Sequence, residues 1–393
     1  MVAAAQTQNE QRGLHVLTLT PFYPSESDET SGCFVSEPVE ALAKIGITNT
    51  VFAVQPFYRK RSGPRKGPIA ASWHRYFSLP SGFGLSTAGA FLFARIVSAV
   101  RDLERARHID VIHAHGPLPC GHAAMLIAGE LNIPYVVSVH GLDAFSTEQV
   151  AGRAGQWARR ISRRIFHSAK RVICISEAVR EKVLEGAAGS CRTSVVYNGV
   201  DPERFSPGAA SSTESVLLCV GNLIPTKGQD LLLRAAASLV SEFPGLRVEI
   251  IGTGAAGPQL ADLARQLGIE KQVRFLGKQS RLEVANSMRR CTVFALPSRF
   301  EGLGCVYLEA MSTEKPVVGC RGQGIAEVIR HGSNGFLVGP ENEKELTLAL
   351  AMLLRDEGLR RNLGRQARDT ILDRFTLAKQ AESLTRIYRE SAR

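Results

Sequence analysis

Short runs of β-branched and other apolar residues alternate with amphipathic windows of helical period along almost the whole chain. This alternation is typical of parallel β-sheets that are covered by helices. In the first half it predicts strands at residues 14–20, 50–54, 110–113, 135–139, 171–175 and 194–197, with helices between them. In the second half it predicts strands at residues 216–220, 247–251, 273–276, 293–296 and 316–319, followed by helices to the C-terminus.

The alternation stops over residues 202–215, where the proline, glycine and serine of residues 207–213 indicate a linker. We therefore predict an α/β protein with two doubly wound, Rossmann-like domains, residues 1–201 and 216–393, that face each other across a cleft. Ligands of such sheets bind beyond the carboxyl ends of the strands, so the residues that directly follow strands are the first candidates for function.

The composition excludes several other classes of protein. The 393 residues are 44% hydrophobic and 22% charged, which is usual for a globular protein with sizeable cores. The best apolar stretch, residues 90–100, is too short to span a bilayer and carries Arg95. Residues 1–12 lack the apolar segment of a secretion signal, so we expect a cytoplasmic protein. Eight scattered cysteines without a C-x-x-C pair predict neither a disulfide framework nor a metal site.

The net charge of +11 is concentrated in two stretches without acidic residues. No Asp or Glu lies between Glu40 and Asp102, or between Glu148 and Glu177, whereas Arg and Lys are frequent there. Either both stretches are solvated faces, or they attract an anionic partner such as the inner face of the membrane. We predict no nucleic-acid binding, because no recognition module is present.

Two loops in the second half follow predicted strands and open helices. Residues 221–228 (GNLIPTKG) combine a glycine turn with Lys227 before a helix N-terminus, which suits a phosphate group. Residues 297–309 place Glu301 in the loop and Glu309 about two turns into the helix, where two carboxylates suit separate pairs of sugar hydroxyls. The alternative is an ordinary loop with a surface lysine in the first case, and solvated glutamates in the second.

Three other motifs are less specific. Residues 252–257 match G-x-G-x-x-G, but the next strand does not end in an acidic residue, so we predict a turn and not a dinucleotide site. Gly32 and His140 each follow a strand of the first half, where His140 could supply a hydrogen bond or a proton or simply bond its own loop. We assign the close pair His113 and His115 mostly to packing.

Together these motifs resemble the group 1 (GT4-type) retaining glycosyltransferases of the GT-B fold, over nearly the whole chain. The resemblance rests on residues 221–228, the E-x7-E pair, the strand end at 140–143 (HGLD) and the turn at 198–201 (NGVD). The opening residues 22–34 are similar to bacterial members that build teichuronic acid, capsule and exopolysaccharide.

The resemblance implies that the second domain holds a nucleotide-sugar donor, that the first holds the acceptor, and that the last helix packs back on the first domain. It assigns Glu309 to the ribose hydroxyls, Lys227 to the diphosphate and His140 to the neighbourhood of the reacting sugar. The implied catalytic residues are His140, Lys227 and Glu301, and the other implied donor-binding residues are Gly32, Gly221, Asn222, Gly302, Leu303, Gly304, Cys305, Val306 and Glu309. Asn222 departs from the family, which often has arginine at this position as a second phosphate cation.

We predict a retaining enzyme that moves a hexose from a nucleoside diphosphate sugar to a glycan or lipid-linked acceptor in cell-surface polysaccharide biosynthesis. No two Asp residues stand two apart, so the D-x-D metal motif is missing, and we expect no metal or other cofactor. The alternatives are a sugar-nucleotide 2-epimerase and a non-catalytic subunit that binds a nucleotide sugar.

Overall fold

A computed structural model describes residues 13–26, 28–60, 63, 69–80, 84–141, 152–189, 191–208 and 215–392. The chain divides into two compact units, of which the first comprises residues 1–197 and 377–393 and the second comprises residues 198–376. The predicted domain boundary, after residue 201, lies close to this division. Residues 209–214 of the predicted linker lie outside the described residues.

The first unit is built on a parallel sheet of seven strands in the order β3-β2-β1-β4-β5-β6-β7. Its elements in chain order are β1 (His15–Thr20), α1 (Cys33–Lys44), β2 (Thr48–Pro56), β3 (Ala71–Tyr76), α2 (Leu85–Ala106), β4 (Val111–His115), α3 (His122–Leu131), β5 (Tyr135–Val139), α4 (Gly152–Ser168), β6 (Arg171–Cys174), α5 (Glu177–Ala187) and β7 (Thr193–Val195).

The second unit is built on a parallel sheet of six strands in the order β10-β9-β8-β11-β12-β13. Its elements are β8 (Ser215–Val220), α6 (Gln229–Ala237), β9 (Leu246–Ile251), α7 (Gly257–Gln266), β10 (Val273–Gly277), α8 (Arg281–Arg290), β11 (Val293–Ala295), α9 (Cys305–Ser312), β12 (Val317–Cys320), β13 (Phe336–Val338), α10 (Glu343–Arg355) and α11 (Glu357–Arg374). The last helix, α12 (Leu377–Ser391), belongs to the first unit.

Helix α12 is part of the core of the first unit. Leu384 and Tyr388 of this helix pack in one buried cluster with Val16, Val111 and Val136, which lie on β1, β4 and β5. Every residue of these three strands is buried, as expected for the centre of a parallel sheet that is covered on both faces.

Two edge strands were not predicted from the sequence. Strand β3 is only partly buried and lacks an apolar run, and β13 has three residues. The prediction that only helices follow residue 319 is therefore wrong at β13. Strand β3 lies at an edge of its sheet and is only partly buried, so burial demands less apolar sequence from it than from the central strands. Strand β13 is apolar and buried, but its three residues are too few to show the period of a strand.

The strand order reverses between β1 and β4 in the first sheet and between β8 and β11 in the second. In doubly wound sheets this reversal opens a crevice at the carboxyl ends of the two strands, and ligands bind there. The loops after β1, β8 and β11 contain the predicted residues Gly32, Lys227 and Glu301.

Candidate functional site

The loop after β8 is shaped by a glycine that allows a close contact. Pro225–Lys227 forms one 3₁₀ turn, and Gly228 follows it with a φ of 68°. A Cβ atom on Gly228 would lie 2.0 Å from the carbonyl oxygen of Pro297. Only glycine therefore lets the loop after β8 lie directly against the loop after β11.

Arg299 ties the same two loops together. Its backbone N–H donates to the carbonyl oxygen of Thr226 over 2.8 Å, and its guanidinium donates to the carbonyl oxygen of Pro225 over 2.6 Å. The guanidinium also binds both carboxylate oxygens of Asp230, at 2.8 and 2.9 Å, and this hydrogen bonding lowers the pKa of Asp230. No pattern in the sequence predicts this role of Arg299.

Lys227 and Glu301 form an ion pair in which the lysine Nζ donates to Oε2 of the carboxylate over 2.5 Å. The two side chains are 20% and 13% exposed. The backbone N–H of Glu301 donates to Oε1 of Gln323 over 2.8 Å, and Nε2 of Gln323 donates to the carbonyl oxygen of Arg299 over 3.0 Å. Lys227, the predicted phosphate-binding cation, thus contacts Glu301, the predicted sugar-binding carboxylate, and Gln323 fixes the backbone around Glu301.

Glu309 is the fifth residue of α9, one turn from the start of the helix and not two as predicted, and it is 3% exposed. Arg281, the first residue of α8, donates from Nη1 to Oε1 of Glu309 over 2.5 Å. The Arg281 guanidinium carbon lies 4.8 Å from the centroid of the Phe205 ring. A carboxylate buried this deeply needs a charged partner, and Arg281, which no sequence pattern indicates, is such a partner.

The residues between the two glutamates form the entry to α9. Gly304 has a φ of 85°, and a Cβ atom there would lie 2.6 Å from the ring of Tyr307 and 3.0 Å from Cγ of Glu301. Nδ2 of Asn198 donates to Sγ of Cys305 over 3.2 Å. The predicted donor-binding stretch therefore continues directly from Glu301 into the first turn of the helix, through Gly302, Leu303, Gly304, Cys305 and Val306.

The loop after β8 begins at Gly221 and Asn222, and the G-x-G-x-x-G segment packs against it. A Cβ atom on Gly252 would lie 2.0 Å from the carbonyl oxygen of Gly221, and one on Gly254 would lie 2.3 Å from that of Leu223. These glycines serve close packing between two loops, and the segment is a turn as predicted. The side chain of Asn222 is exposed at the start of the loop.

The turn at residues 198–201 lies where the chain leaves the first unit. The backbone N–H of Val200 donates to the carbonyl oxygen of Phe375 over 2.9 Å, next to the point where the chain returns to that unit. Oδ1 of Asp201 accepts the backbone N–H of Glu203 over 3.0 Å, which closes the turn.

In the first unit, Gly32 packs against the backbone of Phe22, and His140 lies near the ring of the same residue. Gly32 has a φ of 75° at the start of α1, and a Cβ atom there would lie 2.4 Å from the carbonyl carbon of Phe22. The rings of Phe22 and Phe34 lie 6.2 and 4.9 Å from the ring of His140. Residues 142–143 of the HGLD motif lie outside the described residues.

His140 also ends a row of three histidines. Its Nε2 lies 2.9 Å from Nδ1 of His115, whose ring stacks on that of His113 at 4.3 Å. Nδ1 of His113 lies 2.7 Å from the hydroxyl of Tyr388, and Nε2 lies 2.7 Å from that of Ser138. Burial lowers the pKa of His140 to about 4, that of His113 to about 3 and that of His115 well below its usual value. His113 and His115 are indeed packed inside, but their hydrogen bonds were not predicted.

Two features are absent from the part of the chain that the structure describes. No group of three or more His, Cys, Asp or Glu residues there could hold a metal ion. No helix there is long and apolar enough to cross a membrane.

Both halves of the chain match known protein families. The family described as Glycosyl transferases group 1 matches residues 201–370, and the family described as Glycosyltransferase Family 4 matches residues 34–204. The D-inositol 3-phosphate glycosyltransferase of Kineococcus radiotolerans is 30% identical over 398 residues, which cover 91% of this chain and 89% of that protein.

Solved structures show the same fold. The sucrose-phosphate synthase of Thermosynechococcus elongatus superimposes with a TM-score of 0.77 at 20% identity, over 96% of this chain and 98% of that one. Anabaena Alr3699/HepE, solved in complex with UDP and glucose, superimposes with a TM-score of 0.74 at 22% identity, over 95% and 98% of the two chains. The predicted GT-B fold is confirmed.

Proposed function

Since the chain belongs to the group 1, family 4 glycosyltransferases, we propose that it transfers a hexose from a nucleoside diphosphate sugar to a hydroxyl group of a glycan or lipid-linked acceptor. The transfer retains the anomeric configuration and serves the biosynthesis of a cell-surface polysaccharide. The observation that carries the proposal is the pair of cation–carboxylate contacts, Lys227 with Glu301 and Arg281 with Glu309, on the elements that follow β8, β10 and β11.

Lys227 and Glu301 suit the two charges that develop when the donor reacts. Departure of the diphosphate leaves negative charge on its oxygen and positive charge on the sugar ring. A lysine ammonium group has three donors, so Lys227 can keep Glu301 and still bind a phosphate oxygen. The carboxylate of Glu301 then lies beside the sugar, where it stabilises the positive ring.

Glu309 suits the ribose of the donor. Arg281 keeps this buried carboxylate in place through one of its two oxygens. A carboxylate has about four acceptor positions, so the group can accept two neighbouring ribose hydroxyls in addition to Arg281.

His140 suits a neutral contact with the transferred sugar. Its lowered pKa, about 4, keeps the imidazole uncharged at neutral pH, so it offers one donor and one acceptor. This supports a hydrogen bond to a sugar hydroxyl.

Donor binding and product analysis test the proposal together. Hexose donors carrying UDP, GDP or ADP are screened by thermal stabilisation, since a ligand at about 100 times its dissociation constant adds about 2.7 kcal/mol. The stabilising donor is then incubated with acceptors, beginning with D-inositol 3-phosphate, which the relative's name specifies. A glycoside is the expected product. Isomerised donor without acceptor would identify an epimerase, and bound but unchanged donor would identify a non-catalytic subunit.

We propose that the transfer needs no metal, because Lys227 supplies positive charge for the diphosphate and the sequence lacks the D-x-D metal motif of the other main glycosyltransferase fold. Activity should survive EDTA, and Lys227→Ala should lose most of it. Loss of activity on chelation that magnesium or manganese restores would contradict this proposal.

We also propose that the first unit associates with anionic membranes through an aromatic–basic surface. This surface consists of large side chains that are 45–53% exposed, flanked by the cations of Arg59, Lys60 and Arg75; the large side chains are Phe57, Tyr58, Phe77, Leu79 and Phe91. The rings of Phe77 and Phe91 are in contact at 5.1 Å, and the Arg75 guanidinium lies 4.8 Å from the centroid of the Phe57 ring. Exposed aromatic rings among cations suit the headgroup region of an anionic bilayer, where each cation contributes about 1 kcal/mol.

Vesicle sedimentation tests the membrane proposal. The protein should bind vesicles that contain phosphatidylglycerol at low salt and should bind neutral vesicles less. Phe77→Ser should weaken binding, whereas Leu348→Ser should not, since Leu348 is 64% exposed but lies in the second unit. Equal binding by both variants, or no preference for anionic vesicles, would show that this surface is only solvated.

A further inference from the structure

The three histidines are placed by the register of two neighbouring strands. His113 and His115 are two residues apart on β4 and therefore share one face of the sheet. Ser138 of β5 pairs in register with His115, and His140 follows two residues later on the same face. Imidazole rings therefore extend in one row from Tyr388 of α12 to the loop after β5.

The hydrogen bond between His115 and His140 lies in the plane of both rings. The bonded nitrogens, Nδ1 of His115 and Nε2 of His140, are 2.9 Å apart, and the ring planes differ by 8°. The ring centroids are 5.1 Å apart, which is the nitrogen separation extended by the centroid-to-nitrogen distance of each ring. An N–H in one ring therefore points along that plane at the lone pair of the other, which is the favoured geometry.

This bond couples the proton positions of the two rings. A neutral imidazole carries one N–H and one lone pair, so one ring must donate and the other must accept. The nitrogen of His140 that does not face His115, Nδ1, then has the opposite character to Nε2. The tautomer of His140 is thus tied to that of His115.

His113 packs against the ring of His115 and restricts its movement. It stacks on His115 and is bonded at both of its own nitrogens, to the hydroxyls of Tyr388 and Ser138. His115 is 6% exposed, so it has little room to turn.

We propose that His115 is a positioning residue that fixes the ring orientation and a single tautomer of His140. His115 thereby determines whether Nδ1 of His140 donates or accepts a hydrogen bond toward the transferred sugar. The second statement rests on the proposed function, in which His140 contacts that sugar, whereas the first concerns the protein alone.

Three variants separate positioning from packing. His115→Leu removes the bond to His140. His115→Asn keeps a polar atom at the same distance from the backbone as Nδ1, so it restores the bond in part. Tyr388→Phe is the matched control, because it removes a hydroxyl from His113 but leaves the contact between His115 and His140 untouched.

The measurement is ¹⁵N NMR of the histidine ring nitrogens in the full-length protein, alongside steady-state kinetics. The wild-type His140 should show one protonated and one unprotonated nitrogen. His115→Leu should average the two signals and lower kcat by up to about tenfold with a smaller change in KM for the donor, and His115→Asn should recover part of both. Tyr388→Phe should keep the wild-type signals of His140.

Two results would overturn the proposal. Wild-type His140 signals in His115→Leu would show that His115 does not set the tautomer. Equal changes in His115→Leu and Tyr388→Phe would show that packing alone is responsible. An inactive wild-type protein would instead refute the proposed function, and the NMR comparison would still decide the role of His115.

Discussion

Replacement of Arg281 by methionine removes a cation that donates a hydrogen bond to the buried carboxylate of Glu309. The two side chains are 18% and 4% exposed, so water cannot take the place of the missing charge. Removal of one partner from a buried ion pair costs about 3–5 kcal/mol. The methionine keeps most of the aliphatic volume, so the loss of charge dominates the effect.

Proton uptake by Glu309 limits the part of this cost that comes from the unpaired charge. Protonation of a glutamate with the ordinary pKa near 4.3 costs about 3.7 kcal/mol at pH 7 and about 1 kcal/mol at pH 5. The variant can always take this route. We therefore expect Arg281→Met to lower the free energy of unfolding by about 3–4 kcal/mol at pH 7, and by much less at pH 5.

Urea unfolding at the two pH values measures the effect. The matched control is the double variant Arg281→Met with Glu309→Gln, which carries no charge at either position of this pair and should be more stable at pH 7 than Arg281→Met alone. The reasoning is refuted if the single variant loses the same free energy at both pH values, or if the double variant is no more stable than the single one.

Three further predictions follow from contacts in the two units. Glu301→Gln releases Lys227 from its ion pair, so calorimetry should show nucleoside diphosphate bound at least as tightly while the transfer rate falls; weaker diphosphate binding would contradict this. Gly228→Ala should lower the free energy of unfolding by more than Gly268→Ala does. Gly268 has a similar φ of 71°, but a Cβ atom there meets open space, so Gly268→Ala should cost only the backbone strain of about 1–2 kcal/mol. Equal losses would show that the contact at Gly228 relaxes. Burial lowers the pKa of His113 from 6.5 to about 3, so between pH 6.5 and pH 3 this histidine takes up a proton in the unfolded chain but not in the folded one. The free energy of unfolding should therefore fall as the pH drops through this range, and should fall less steeply in His113→Asn. Equal pH dependence in the wild-type protein and in His113→Asn would contradict this prediction.

The fold was predictable because the central strands are buried on both faces. Strands such as β5 and β8 need nearly continuous apolar sequence, and that demand is visible in the residues themselves. The edge strand β3 has no such demand, and the buried strand β13 has only three residues, so neither is apparent from the sequence pattern. The membership of α12 in the first core depends on contacts with β1, β4 and β5 that no local pattern contains.

The site residues were only partly predictable, for a similar reason. Loops that follow strands are recognisable in the sequence, and Lys227 and Glu301 were predicted as site residues because they lie in such loops. Their geometry depends on Arg299, which reaches Asp230 at the start of α6, and on Arg281, which reaches Glu309 from the neighbouring helix. Such contacts join residues far apart in sequence, so a single sequence without its fold does not reveal them.

We propose above all that this chain moves a hexose from a nucleoside diphosphate sugar to an acceptor, with Lys227 holding the departing diphosphate. The most direct test is a combined ³¹P and ¹H NMR time course with the stabilising donor and acceptor, for the wild-type protein and for Lys227→Ala. We predict that nucleoside diphosphate appears in step with a glycoside of the donor's anomeric configuration, and that Lys227→Ala loses most of this activity. Epimerised donor without glycoside, or an undiminished rate in Lys227→Ala, would contradict the account.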